Sequence, residues 1–288
     1  MENIKVCFVI LHYKTYRDTI GCVKSINAIE GEKNIIIVDN ASNNGSFEKV
    51  KSKIKHYNNV YFIHNQNNLG FAAGNNIGYE FAKEHLKSNM IIICNNDVIF
   101  DDKYFITKLI NYYNNEDFDV AGPDIESLID GKHQNPMKFE QFDIHRINKE
   151  MFKYRLLAFF NEIYIYDVLK KISEHITKFN KSSGGTIDNK NIMLHGSVVI
   201  FSPRFIKNEK FAFRPGTFLY LEENLLSDYC KKKDYKMVYL PNLHVFHKED
   251  SSTNAVVSKS RKKREFIFKN LINSFKIYKN QLIRDKRQ

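Results

Sequence analysis

Near its start the chain carries an unbroken apolar run, Val6-Cys7-Phe8-Val9-Ile10-Leu11, the pattern of a strand buried on both faces. A helical period follows over 19–28 and a second buried run over 34–38. The alternation continues with a helix over 47–56, a strand over 60–63, a helix over 74–86 and a strand over 90–94. Strands separated by helices predict crossover connections, hence an α/β fold with a mostly parallel sheet covered on both faces. Beyond residue 100 the pattern loosens. Helices are expected over 102–113 and 218–232, and strands near 120–123, 192–201 and 237–240. Residues 130–188, rich in aromatics and Lys but weakly periodic, read as a variable helical insertion.

Composition narrows the class. With 23 Phe and 16 Tyr against 12 Gly and 5 Pro in 288 residues, a packed core is expected and disorder is excluded. No window approaches the ~20 apolar residues of a membrane span, and MENIKVCFVILHY runs straight into a strand-like stretch, so no export signal is expected. Cys7, Cys22, Cys94 and Cys230 have no motif spacing and read as structural thiols in a reducing compartment. The net charge of +11 is uneven: residues 255–288 hold 11 Lys and Arg against Glu265 and Asp285, which leaves +2 for 1–254. A nucleic-acid-binding domain would carry a basic stripe on its own body, so nucleic acid is not an expected partner.

A parallel sheet gathers its ligand site beyond the carboxyl ends of its strands, and four polar clusters fall there: His12-Tyr13, the Asp39-Asn40-Ala41-Ser42 turn, 65–76, and Asn95-Asn96-Asp97. Asp39 is placed to accept hydrogen bonds from a base or ribose, although Asp, Asn, Ser and Gly also make good turns. Gly70, Gly74 and Gly78, spaced by four, permit close backbone approach near a helix start. That start either receives an anion or simply packs on the sheet. The segment is neither GxGxxG nor a Walker loop. Asp97 at a strand end suits a hard divalent cation that also binds a substrate diphosphate. Glu222 and Glu223, as neighbours on a helix, face different ways. One is a candidate general base, and both equally suit the positive end of a helix. His247, close to His244, is a candidate to complete a metal site begun by Asp97.

Taken in order, Ile37-Val38-Asp39-Asn40-Ala41-Ser42, the run 68–78, Cys94-Asn95-Asn96-Asp97-Val98, His195-Gly196-Ser197, Phe218-Leu219-Tyr220-Leu221-Glu222-Glu223 and Tyr239-Leu240-Pro241 through His247 to Ser251 resemble the family 2 glycosyltransferases of GT-A fold, particularly their bacterial rhamnosyltransferase-like branch. The resemblance covers roughly 4–254 and leaves the 130–188 insertion unmatched. It implies a GT-A domain over 1–254, with a nucleotide-sugar half (1–100) and an acceptor half (101–254), and a helix over 255–288. It implies a UDP- or dTDP-linked donor bound by Tyr13, Asp39, Asn40, Ser42, Asn68, Gly70, Asn75, Asn95 and Asn96. Mn2+ or Mg2+ would sit at Asp97 and His247, and His195 and Gly196 would lie on the acceptor side. Glu223, with Glu222, falls where the family has its Glu-Asp catalytic pair. Asn95 replaces the first Asp of the DxD motif, and the base is one methylene longer than the family's Asp. The depleted DxD also admits a sugar-nucleotide-binding protein without transferase activity.

By the same resemblance the acceptor is a glycan or lipid-linked glycan, handled in the cytoplasm on the inner face of the cell membrane. Phe268, Leu271, Ile272, Phe275, Tyr278 and Leu282 make one apolar stripe among Lys and Arg, so 256–288 is expected to lie on an anionic membrane surface. A helix packed back on the body, or an oligomer contact such as a homodimer, is the alternative. The expectation that organises the rest is spatial: Asp39, Asp97 and Glu223 converge on one pocket.

Overall fold

In the computed structural model, which describes residues 4–139, 141–167, 192–249 and 260–285, the N-terminal half is the alternating unit the pattern predicts. Strand β1 (Val6–His12) leads through α1 (Tyr16–Ala28) to β2 (Lys33–Asp39), then α2 (Ser46–Ile54), β3 (Val60–His64), α3 (Gly70–Glu84) and β4 (Met90–Asn95). The pairs β1/β2, β1/β4 and β2/β3 are parallel. After them come β5 (Val98–Phe100), α4 (Phe105–Glu116), β6 (Val120–Ser127), the short ribbon β7 (Met137–Lys138) with β8 (Ile192–Met193), α5 (Ile144–Glu162), β9 (Val198–Phe201), α6 (Pro203–Asn208), α7 (Glu222–Lys232), β10 (Met237–His247) and α8 (Ser260–Asp285). The main sheet has eight strands in the order β3-β2-β1-β4-β9-β6-β10-β5. Only the contacts of β9 with β4 and β6, and of β5 with β10, are antiparallel.

The unbroken apolar runs are explained by two-sided burial. Successive β1 side chains alternate faces: Phe8 and Ile10 join a core with Val23 and Ile26 of α1, Phe47 and Val50 of α2, and Phe105 and Leu109 of α4. Cys7 and Val9 join the opposite core with Ala72, Tyr79 and Ala82 of α3 and Phe205 of α6. All four cysteines are buried and free.

Several boundaries differ from the sequence expectation. Helix α3 starts at Gly70 rather than residue 74, because Gly70 adopts φ +81° and turns the loop directly into the helix. The helix expected from residue 218 starts at Glu222, because Tyr220 and Leu221 have φ +75° and +68°. Strand β10 runs past residue 240 to His247, through a register shift between Leu240 and His244. Within the insertion, α5 is a continuous helix of 19 residues, and 168–188 lie outside the described residues.

The tail also differs. The apolar stripe of α8 faces the protein: Phe275, Tyr278 and Leu282 pack with Ile147 and Met151 of α5 and Leu225 of α7. Phe268 is buried as well. Burial against a neighbouring helix removes these side chains from any lipid, so the stripe is not the membrane-facing surface expected of 256–288. Residues 255–259 and 286–288 lie outside the described residues.

Candidate active site

The strand ends bring their polar loops to one cleft of about 540 Å³. Tyr13, Asn40, Asn68, Gly70, Asn95, Asn96, Asp97, His195, Gly196, Glu222, Glu223 and His247 all line it. Asp39, Ser42 and Asn75 do not. The buried Asp39 carboxylate accepts from Ser42 Oγ at 2.5 Å and from His64 Nδ1 at 2.8 Å. Ser42 Oγ in turn accepts the Lys14 amide at 2.9 Å. Asp39 is thus linked through Ser42 to the turn that carries Tyr13, which lines the cleft. Asn75 is buried with neither amide atom hydrogen-bonded among the described residues. Of the three carboxylates expected to converge, Asp97 and Glu223 line the same cleft and Asp39 is not among its lining residues.

Asn40 organises the donor-side loop. Its Nδ2 donates to Asn68 Oδ1 at 2.9 Å and to the Gly70 carbonyl at 3.1 Å, and its Oδ1 accepts the Leu69 amide at 3.0 Å. Gly74 and Gly78 have the packing role: a Cβ on Gly78 would lie 2.3 Å from Val9 Cγ1, and one on Gly74 2.6 Å from Leu11 Cδ1. Gly70 differs again, since its Cβ would lie 2.2 Å from the Phe218 carbonyl oxygen. Asn96 donates to Thr15 Oγ1 at 2.7 Å and Thr19 Oγ1 at 3.0 Å. His12 is held between Thr19 and Ser46, and burial pushes its pKa down to about 4.

At the cleft floor, His247 Nε2 faces Asp97 Oδ1 at 3.2 Å, and both side chains are nearly buried. His247 Nδ1 donates to Gln134 Oε1 at 2.9 Å. His247 Nε2 and Asp97 Oδ1 thus offer an imidazole nitrogen and a carboxylate oxygen to one point of the cleft. Among the described residues no cluster of three or more His, Cys, Asp or Glu could hold a metal. The pair fits a divalent cation of the kind bound by few protein ligands plus substrate phosphates. His195 packs edge-on to His247 at 5.7 Å, and the Ser197 amide donates to its Nδ1. Burial lowers the His195 pKa to about 4, with His247 adding to the effect and Asp97 opposing it.

Glu222 and Glu223 open α7, where the helix dipole favours negative charge. They nevertheless differ. Glu222 is buried, and burial followed by the neighbouring charge of Glu223 pushes its pKa up to about 8. Glu223 is only partly covered; burial raises its pKa while the Gly196 amide favours its charged form. The contact is close, since a Cβ on Gly196 would lie 2.5 Å from Glu223 Oε1. The loop before α7 is tied on both sides: the Phe71 amide donates to the Phe218 carbonyl at 2.7 Å, and Ser274 Oγ of α8 donates to the Leu219 carbonyl at 2.8 Å.

The residues 7–173 match the model of the family described as Glycosyl transferase family 2. The chain belongs to glycosyl transferase family 2. No curated protein matches it. Among solved structures, S. aureus TarS 1–349 in complex with UDP-GlcNAc is 11% identical with a TM-score of 0.55, over 86% of this chain and 59% of that one. GalNAc-T7 with UDP, GalNAc and Mn2+ is 14% identical with a TM-score of 0.60, over 88% of this chain and 45% of that one. This family 2 chain thus spans about half the length of these structures, and at such identities the likeness is one of fold.

Several site residues carried no sequence signal. Gln134 and Asn135, which hold His247 and the His195 amide, lie at the start of the aperiodic insertion. His64, Thr15 and Thr19 support Asp39 and Asn96 from other elements. Phe266 and Leu271 of α8 wall the cleft from a segment assigned elsewhere.

Proposed function

We propose that this family 2 chain is an inverting glycosyltransferase that moves a sugar from a nucleoside-diphosphate donor to a hydroxyl of a glycan or lipid-linked glycan, with Glu223 as general base. One observation carries the reading: Glu223, Gly196, His195, His247 and Asp97 form a continuous line across one cleft, so a base and a candidate diphosphate site face the same space. Tyr13, fixed by the Asp39–Ser42–Lys14 relay, offers the base a wall. Asn40 and Asn68 shape the ribose and diphosphate side, where Gly70 lets the backbone approach closely.

Asp97 and His247 would hold a Mn2+ or Mg2+ ion, which would supply charge stabilisation for the leaving diphosphate. Glu223, which lines the cleft and whose carboxyl pKa burial shifts upward against the Gly196 amide, accepts the acceptor hydroxyl's proton. The hydroxyl oxygen bonds to the anomeric carbon from the face opposite the diphosphate. The bond from that carbon to the diphosphate breaks, the nucleoside diphosphate leaves, and configuration inverts. Glu222, neutral at physiological pH, adds no second charge beside the base.

Glu223→Gln should keep donor affinity by calorimetry while turnover falls roughly 10²–10⁴-fold. Wild-type turnover in that variant removes Glu223 from the mechanism. Screening UDP- and dTDP-sugars, dTDP-rhamnose included, with Mn2+ or Mg2+ tests the rhamnosyltransferase-like assignment. Donor binding with neither transfer nor hydrolysis would favour a sugar-nucleotide-binding protein, the reading that Asn95 in the DxD position motivates.

A further inference from the structure

With the stripe of α8 buried, the outward face of α5 is the one left open. Phe152 is 68% exposed, Leu156 41%, Phe159 54% and Ile163 41%. Their spacing of four, three and four residues places them on one stripe, and the exposed Tyr164 and Ile165 continue it past the helix end. Lys149 and Lys153 flank the stripe on one side and Arg155 on the other, all exposed. The inner face of α5 is already used, through Ile147 and Met151 against α8. Contiguous apolar patches of this kind on a folded surface are commonly interaction sites.

We propose that this face of α5 docks the protein on an anionic lipid surface. A Phe/Leu stripe rimmed by Lys and Arg is the composition of a helix lying in the membrane interface, with the long basic side chains reaching back to the headgroups. Charge supports lipid over a second copy. The four Lys and Arg of 143–167 are matched by four Asp and Glu, and the basic excess lies on the adjoining 260–285, with eight Lys and Arg against two Asp and Glu, where Lys262, Lys269 and Lys276 are exposed along α8. Two copies meeting through α5 would oppose Lys149, Lys153 and Arg155 to the same charges, whereas anionic headgroups neutralise them. No helix among the described residues is long and apolar enough to cross a membrane, so the contact is superficial. Because α8 packs on α5 and also walls the cleft, docking holds the cleft near the lipid. For its purpose, delivery of a lipid-linked acceptor, the inference rests on the transferase reading; the lipid contact itself does not.

Sedimentation of the full chain with phosphatidylcholine vesicles, with and without phosphatidylglycerol, tests it. Wild type should partition onto the anionic vesicles and weaken as salt is raised. Phe152→Ser with Phe159→Ser should lower partitioning about a hundredfold, and Lys149→Glu with Lys153→Glu and Arg155→Glu should abolish the preference for anionic lipid. Both variants should keep the wild-type melting temperature and donor affinity. Wild type that ignores anionic vesicles, or variants that bind them as wild type does, overturns the proposal. So does a wild-type dimer by light scattering that the Phe pair dissolves. Donor binding is read separately in solution, so failure of lipid docking leaves the transferase reading standing, and failure of transfer leaves the docking result intact.

Discussion

Glu222 and Glu223 are adjacent, carry the same chemistry and both line the cleft, but Glu222 is buried and Glu223 only partly so. Burial keeps Glu222 protonated near neutrality, with a pKa pushed up to about 8 from 4.5. Glutamine copies that neutral state, so Glu222→Gln should retain turnover within about fivefold while Glu223→Gln does not. The same shift predicts a pH signature. A folded-state pKa above the unfolded value means that Glu222 favours the fold fully below about 4.5, and that this contribution is lost as pH rises through about 8. Glu222→Gln should therefore raise the urea midpoint at pH 8, with the gain vanishing toward pH 4.5. An equal midpoint at pH 8 would show that Glu222 is not buried neutral. Sequence identified both residues, but not their unequal burial at the start of α7, which follows the left-handed Tyr220–Leu221 turn.

At the level of elements, glycine spacing and loop anchorage set the cleft. Gly78→Ala would press a methyl 2.3 Å from Val9 Cγ1, and the branched valine has little freedom to yield. Overpacking of that kind costs about 1–3 kcal/mol, against about 1 kcal/mol regained in helix propensity, so a lower melting temperature is expected. Ser274 acts on the other wall. Ser274→Ala frees the Leu219 carbonyl, a loss of about 1 kcal/mol. It should lower kcat by up to about tenfold, because the loop that delivers Glu223 loosens, while donor KM holds. A change in KM alone would assign Ser274 to donor binding. The strands and most helices were legible because apolar runs and helical periods are local. The start of α7 was not, because Tyr220 and Leu221 take positive φ at the end of a loop whose Phe218 and Leu219 carbonyls are held by Phe71 and Ser274, far away in the chain.

Across the whole molecule, α8 is a structural wall. Its removal would bare Ile147, Met151 and Leu225 and take Phe266 and Leu271 from the cleft. Truncation of 256–288 should therefore lower the melting temperature and turnover together, read by thermal denaturation and donor consumption. A truncated chain with wild-type stability and activity would show that α8 is dispensable to the fold. The basic charge of the tail was plain in composition; the direction of its apolar stripe was not, since periodicity defines a stripe without saying what covers it.

The sequence by itself determined the alternating α/β architecture, the strand ends that carry polar loops and the family, because each is written in short-range pattern or ordered motif. Only tertiary structure decided that the Asp39 carboxylate is held by Ser42 and His64, that His247 meets Asp97, that Glu222 is more deeply buried than Glu223, and that α8 turns inward. Those outcomes depend on which distant side chains share a volume and exclude water, and local periodicity does not encode that.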